Sequence, residues 1–308
     1  KGAVGIYNYK TGEILCMVSS PSFDPEYPPD LNNNPERYEG VYVNRLLSAT
    51  YTPGSIFKLV TAAAALDRLP NIKNTLYQCK GNIQINEDMV TCLAAHGEIS
   101  LKEALAHSCN VTFAQIALKL GADTLQEYAE LAGFNSSLKV DGIKTAIGKV
   151  DLADAAGADL GWAGCGQFTT TANPLNFMAY VGAIANEGIL VKPKILADKS
   201  IFSYNIRIRK TKRVLSEETA VTLADMMRNN TISVYGEGNF RGLELCAKSG
   251  TAEVGEGKKP HAWFTGFLAR DDFPFAFVVI IEGGGTGSRT AASVAANVLP
   301  VAISASGR

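Results

Sequence analysis

The stretch Ser55-Ile-Phe-Lys-Leu-Val-Thr-Ala-Ala-Ala-Ala-Leu66 constrains this chain more than any other. It reads as a helix that is apolar on nearly every side, so it must be enclosed by other elements. Its single ionisable side chain is Lys58. A buried, unpaired ammonium costs several kcal/mol, so Lys58 has to find partners or lose its proton. Ser55 stands three residues earlier, on the same helical face, in a first turn whose backbone N–H groups have no intrahelical partner. A nucleophile, a candidate base and an oxyanion donor therefore converge in one turn, as acyl transfer through serine requires. The plainer alternative is a serine cap with a lysine snorkelling to the surface.

The rest of the chain supplies a core for such a helix. Its 308 residues are enough for one or two domains, with 46% hydrophobic residues. With 29 basic against 30 acidic groups and 19% charged residues, nothing marks it as disordered or as a nucleic-acid binder. The longest apolar run, Phe275 to Ile281, is far short of the roughly 18 residues of a membrane span. The chain opens at Lys1 without Met, which suggests a processed protein or a piece of a larger one.

Strand signals cover Ala3–Tyr9 and Glu13–Ser19, joined by the turn Lys10-Thr11-Gly12. A loop with five prolines follows, from Ser20 to about Tyr38. From about Asp67 to Asp159 the pattern is helical, with helices expected over Leu101–His107, Thr112–Leu120 and Thr124–Ala132. Gly161–Thr171 reads as a loop and Leu175–Asn186 as a helix opened by Pro174. Strand signals return at Leu243–Lys248, Ala262–Ala269 and Phe275–Glu282, and a closing helix over Thr290–Ser304 carries Pro300 as an expected kink. The expected fold is α+β: an antiparallel sheet built from both chain ends (about 1–66 and 165–308), flanked by helices, with an all-helical insertion at about 67–164.

Six cysteines, Cys16, Cys79, Cys92, Cys109, Cys165 and Cys246, contain no CxxC pair, which argues against a structural metal site. Cys79 and Cys92 bracket a short excursion that a disulfide could close, worth roughly 3 kcal/mol if unstrained; two independent thiols are the alternative. His96, four residues after Cys92, suggests a metal ligand, but with three histidines in the chain an ordinary loop histidine is the expectation.

Two further elements bear on Ser55 and Lys58. Ser108-Cys109-Asn110 lies between two expected helices, where Ser or Asn otherwise serves as an N-cap. Lys248-Ser249-Gly250-Thr251 ends a strand. There the two hydroxyls and the Lys could hold a carboxylate, and Gly250 could admit a substrate backbone; a polar turn closing an edge strand is the alternative.

Taken together, Tyr51-Thr-Pro-Gly-Ser55-Ile-Phe-Lys58, Ala104-Leu-Ala-His-Ser108-Cys-Asn110, Gly164-Cys-Gly-Gln167, Ala183-Ile-Ala-Asn-Glu-Gly188, Lys248-Ser-Gly-Thr-Ala252 and Ala262-Trp-Phe-Thr-Gly-Phe267 resemble the transpeptidase domain of penicillin-binding proteins, most closely the monofunctional class B type. The resemblance covers the whole chain as one domain. It implies that Ser55 attacks the penultimate D-alanine of a peptidoglycan stem peptide. Lys58 would take its proton, depressed in pKa by the helix-end field and by Lys248. Ser108 would relay a proton to the leaving nitrogen and Asn110 orient Lys58 and the substrate amide. Lys248, Ser249 and Thr251 would recognise the terminal carboxylate, with the backbone N–H groups of Ser55 and Thr251 as oxyanion hole. It implies acylation of Ser55 by β-lactams, no cofactor or metal, and work at the extracytoplasmic face of a bacterial membrane. Class B members carry an N-terminal anchor and pedestal domain, absent from this sequence, through which cell-wall synthesis partners would be met. Ile56 departs from the family's usual small residue and is expected to face the core. A serine β-lactamase of class A would need a Glu over the acyl ester, and none occurs between Leu131 and Asn186. A class D enzyme or a β-lactam sensor would usually place an apolar residue at Asn110.

Overall fold

A computed structural model of the chain describes residues 1–196 and 211–307. The central sheet has five antiparallel strands: β1 (Gly2–Asn8), β2 (Ile14–Ser20), β3 (Leu245–Ala252), β4 (His261–Leu268) and β5 (Phe275–Ile281), in the order β3-β4-β5-β1-β2. The two chain ends meet where β1 pairs with β5, with Val4 opposite Val279. Strand alternation sorts the side chains to two faces. Trp263, Val278 and Ile280 enter one apolar cluster, while Phe264, Phe277 and Val279 enter another.

Helices are named in chain order: α1 (Lys58–Arg68), α2 (Leu101–Ala106), α3 (Asn110–Leu120), α4 (Ala122–Leu131), α5 (Gly157–Gly164), α6 (Pro174–Ala185), α7 (Glu217–Asn230) and α8 (Thr290–Ser306). The faces of the sheet are covered unequally. Helix α8 lays Ala291, Ala295 and Leu299 on the Phe264–Phe277 face. The other face meets α6, buried along almost its whole length and started by Pro174 with Asn173 as N-cap. Helix α1 is surrounded instead by α3, α4 and α7, and its Leu59, Val60 and Ala62 to Ala65 are fully enclosed. That is how a helix apolar all round is accommodated.

Several expectations change. Residues 67–164 are not purely helical: Leu76–Cys79 pairs with Gly97–Ser100, and Asn82–Ile85 pairs with Asp88–Thr91. Strands of four residues are too short to show a period of two against the surrounding helical pattern. Helix α5 lies partly inside the expected loop Gly161–Thr171. Helix α7 was not foreseen, although its N-cap Ser216 and first-turn Glu217 and Glu218 are ordinary start signals. Helix α8 runs through Pro300 to Ser306.

One side chain links the sheet to the segment that carries the candidate nucleophile. Trp263 of β4 is fully buried, and its indole N–H donates to the Thr52 carbonyl at 3.0 Å. Trp263→Phe leaves that carbonyl without its donor, and should lower the unfolding free energy by about 1–3 kcal/mol in urea melts. A loss under about 0.5 kcal/mol, the scale of a surface change, would contradict this tether.

Candidate active site

The turn before α1 is a 3-10 helix over Gly54–Phe57. With three residues per turn, side chains at i and i+3 eclipse, which sets Ser55 directly beside Lys58. Lys58 is fully buried, yet its Nζ lies among four oxygens: Ser108 carbonyl O at 2.7 Å, Asn110 Oδ1 at 2.6 Å, Ser55 Oγ at 3.0 Å and Ser108 Oγ at 3.2 Å. The carbonyl and amide oxygens can only accept, so they draw two N–H bonds from Nζ. The position left to Nζ faces hydroxyls, and there a neutral amine presents its lone pair to the proton of Ser55. Burial pushes the Lys58 pKa below the ordinary lysine value, and the nearby Cys165, Cys92 and Cys109 thiols oppose the shift. Burial therefore leads, rather than the helix-end field or Lys248.

Ser108 is held with φ of +56°, a left-handed conformation uncommon for a residue with a Cβ. This aims its carbonyl and its hydroxyl at the same amine. Cys109, rather than Ser108 or Asn110, is the N-cap of α3: its sulfur accepts the Thr112 N–H. Asn110 is fixed from its other end, its Nδ2 donating to the Thr91 carbonyl at 2.8 Å.

Lys248 is buried as well, donating to Ser108 Oγ at 3.1 Å and to the Ser249 carbonyl at 2.8 Å. Its pKa is driven well below the ordinary value, first by burial and then by the charge of Lys58. Ser108 Oγ thus bridges two amines that cannot both hold a proton cheaply.

Strand β3 is an edge strand, and its open side faces the cleft. Most polar groups along that side already have partners. Leu245 O accepts from Arg228, Ala247 O from Asn230 and Ser249 O from Lys248, while Ser249 N–H donates to the Tyr235 hydroxyl. By the alternation of the strand the N–H of Thr251 points to the same side, and it remains for a ligand. Gly54, at φ +54°, allows the close packing that brings this edge to the nucleophile, since a Cβ there would stand 2.6 Å from the Thr251 carbonyl oxygen. At Gly250 a Cβ would meet Ile56 Cγ2 and the Pro53 carbonyl at 3.0 Å. Its missing side chain therefore serves packing against the nucleophile's own turn, not approach of a substrate, and Ile56 is buried as expected.

The eight singled-out residues thus come together, with Ser55, Ser108, Asn110, Ser249 and Thr251 lining one cleft beside Trp162 and Gln167. The sequence also matches the family model of the penicillin binding protein transpeptidase domain over residues 2–300. The chain belongs to this family. The transpeptidase domain is 30% identical over 334 residues to the peptidoglycan D,D-transpeptidase PbpA of Mycolicibacterium smegmatis, covering 98% of this chain and 67% of that protein. It is 30% identical over 322 residues to stage V sporulation protein D of Bacillus subtilis, covering 95% of this chain and 47% of that protein. Among solved structures, penicillin-binding protein A from M. tuberculosis in its ceftriaxone acyl-enzyme complex superposes with a TM-score of 0.87 at 29% identity, over 98% of this chain and 74% of that one. The D,D-transpeptidase domain of a peptidoglycan glycosyltransferase from Eggerthella lenta gives 0.84 at 26% identity, over 100% of this chain and 78% of that one.

Two features of this transpeptidase domain escaped sequence reasoning. One is Tyr235, packed edge-on against Phe264. Its hydroxyl accepts the Ser249 N–H at 2.8 Å and donates to Ser249 Oγ at 3.1 Å, leaving the proton of Ser249 free to point into the cleft. Thr251 Oγ1 is likewise an acceptor, from Gly287 N–H at 3.3 Å. The second feature is the gathering of Cys79, Cys92, His96 and Cys109 immediately behind Asn110. All six cysteines are free thiols, so Cys79 and Cys92 are not joined, but neither stands independently. The S–H of Cys109, and then the backbone N–H groups of Val111 and Asn110, hold the Cys92 thiol down at about 5 against the effect of burial.

Tyr235→Phe removes one hydroxyl and keeps the ring. Acylation of Ser55 by a penicillin carrying its carboxylate should slow about tenfold, the equivalent of ~1.4 kcal/mol, and the penicillin's methyl ester should lose much less. Equal losses for acid and ester in stopped-flow acylation would show that Tyr235 does not act through carboxylate recognition.

Proposed function

We infer that this chain is a serine D,D-transpeptidase that cross-links peptidoglycan stem peptides through an acyl-enzyme on Ser55, and that β-lactams acylate the same hydroxyl. The contact that carries the reading is the buried Lys58 amine 3.0 Å from Ser55 Oγ. The name of the Mycolicibacterium smegmatis relative, a peptidoglycan D,D-transpeptidase, and the β-lactam acyl-enzyme among the similar structures support it.

In this reading the neutral Lys58 amine takes the Ser55 proton as Oγ attacks the carbonyl of the penultimate D-alanine. Charge developing on that oxygen is met by the N–H groups of Ser55 and Thr251. The proton on Lys58 then passes by way of Ser108 Oγ, which touches both amines, to the departing D-alanine nitrogen as the C–N bond breaks. An acceptor amine from a second strand attacks the acyl ester by the reverse relay, forming the cross-link and restoring Ser55. The terminal carboxylate of the donor is held by the Ser249 and Thr251 hydroxyls. Lys248 lies buried behind them and acts through its field rather than by direct contact. A carboxylate at that place favours the charged form of Lys248, and repulsion then keeps Lys58 neutral, so donor binding itself readies the base. Cross-linking substrates lie outside the cytoplasmic membrane, which puts this domain on the extracytoplasmic face. No described helix is long and apolar enough to cross a membrane.

Ser55→Ala should abolish labelling by a fluorescent penicillin; undiminished labelling would show that another group is the nucleophile. Lys58→Ala should fold and bind but acylate about 10²–10⁴ times more slowly, and a rate within threefold of the parent, by roughly any assay, would remove Lys58 as the base. Intact-mass spectra should show the penicillin adduct surviving for many minutes, and stem-peptide dimers should form from donor and acceptor peptides. Loss of the adduct within seconds would instead indicate a β-lactamase.

A further inference from the structure

One carboxylate stands in the cleft, and the chemistry of Ser55 leaves it unused. Among the described residues that line the cleft, Glu253 is the only Asp or Glu. It is exposed, and among the described residues it has no ion-pair or hydrogen-bond partner. The last pair of β3 with β4 is Ala252 opposite His261, so Glu253 is the first residue past the paired strand, two beyond Thr251. With it at this end of the cleft are Thr286 and Ser288, on the loop between β5 and α8 that is tied to Thr251 by the Gly287 N–H. Their hydroxyls are also without partners among the described residues.

Position along the strand decides which part of a ligand reaches this end. On the reading given above, a donor is anchored by its terminal carboxylate at the Ser249 and Thr251 hydroxyls, and its scissile carbonyl lies at the Thr251 N–H. The donor chain therefore runs from Ser249 past Thr251 and on toward Glu253, laid along the open edge of β3 as an added strand. Successive residues of an extended chain advance about 3.4 Å, so Glu253 stands about 7 Å beyond Thr251. The residue preceding the scissile D-alanine falls half that distance short, a gap that a lysine-like stem of about four carbons spans. Charge then selects what the stem carries. Lys58 and Lys248 are buried behind the reacting end of the cleft, where a further cation is repelled. At the far end a carboxylate and two hydroxyls offer acceptors to the three protons of an ammonium.

We propose that Glu253 is a specificity-determining residue of the donor subsite, reading an ammonium on the side chain of the residue that precedes the scissile D-alanine. The donor it selects carries at that place a diamino acid with its second amine free. This inference rests on the transpeptidase reading and adds to it a choice among donor peptides. An apolar side chain there forgoes the contact, and an acidic one meets repulsion. Because Glu253 is exposed, the pairing is modest in strength and weakened by salt. Its effect falls on which peptide is acylated onto Ser55, not on the bond-making step itself.

The test uses the whole chain and three acyl-D-Ala-D-Ala peptides that differ only in the residue before the scissile D-alanine: lysine, Nε-acetyl-lysine or norleucine. The first equivalent of D-alanine released per chain, followed by rapid quench without added acceptor, gives the acylation efficiency for each. The parent should favour the lysine peptide about fivefold at low salt, the upper range for an exposed ion pair, and this preference should shrink in about 0.5 M salt. Glu253→Gln should bring the three peptides within about twofold of one another, and Glu253→Lys should place the lysine peptide last. Each ratio is read within one protein, so a general loss of activity in a variant cancels, and substitutions at an exposed position are expected to fold. A lysine preference that persists in Glu253→Gln, or none in the parent, would overturn the role of Glu253 while leaving Ser55 as nucleophile. No release of D-alanine from any peptide by the parent would overturn the transpeptidase reading, and this inference with it.

Discussion

The structure is organised around one costly act, the burial of the Lys58 amine. An ammonium sealed among Leu59, Val60 and a run of alanines is tolerable only if oxygen atoms are brought to it or its proton is given up. Both occur: four oxygens from three residues surround Nζ, and burial presses the amine toward neutrality. The left-handed turn at Ser108, the Cys109 cap and the anchoring of Asn110 to Thr91 all follow from the need to complete that shell. A second enclosed amine, Lys248, meets the first at Ser108 Oγ. The pair gains a means of moving one proton between them because neither can keep a charge cheaply.

The sheet provides what the helix cannot. An edge strand with a free row of donors and acceptors invites unwanted pairing, and here most of that row is occupied by Arg228, Asn230, Tyr235 and Lys248. What remains is short and placed beside Ser55: the Thr251 N–H and two hydroxyls whose protons are free because Tyr235 and Gly287 use them as acceptors. The cleft is narrow in chemical terms. It offers donors to an oxyanion and to a carboxylate, and few other unpaired groups along β3.

Sequence reasoning succeeded where the information is local. Ser55 and Lys58 share one turn, the sheet strands are short apolar runs bounded by turn residues, and Pro174 announces α6, so the α+β frame could be read directly, while the joining of three distant motifs into one site came from the family resemblance. It failed where contacts depend on distant closure. Tyr235 reaches Ser249 only because the chain continues from α7 through a wide π-helical turn over Thr231–Tyr235, a feature without a residue signature. The cysteine cluster has no CxxC spacing, since two hairpins of four-residue strands bring its members together. Gly250 was assigned to the substrate because glycine marks close approach, but sequence cannot say which neighbour approaches; here it is Ile56 and Pro53.

The account stands or falls on the charge of one amine before any substrate arrives. Protein labelled with nitrogen-15 at lysine Nζ, with the Lys58 signal assigned by comparison with Lys58→Arg, can be titrated by NMR. A resting Lys58 that deprotonates well below the ordinary lysine value of about 10.4 is the predicted result. Titration at or above that value would mean an ammonium sits beside Ser55, and the base would have to be sought elsewhere.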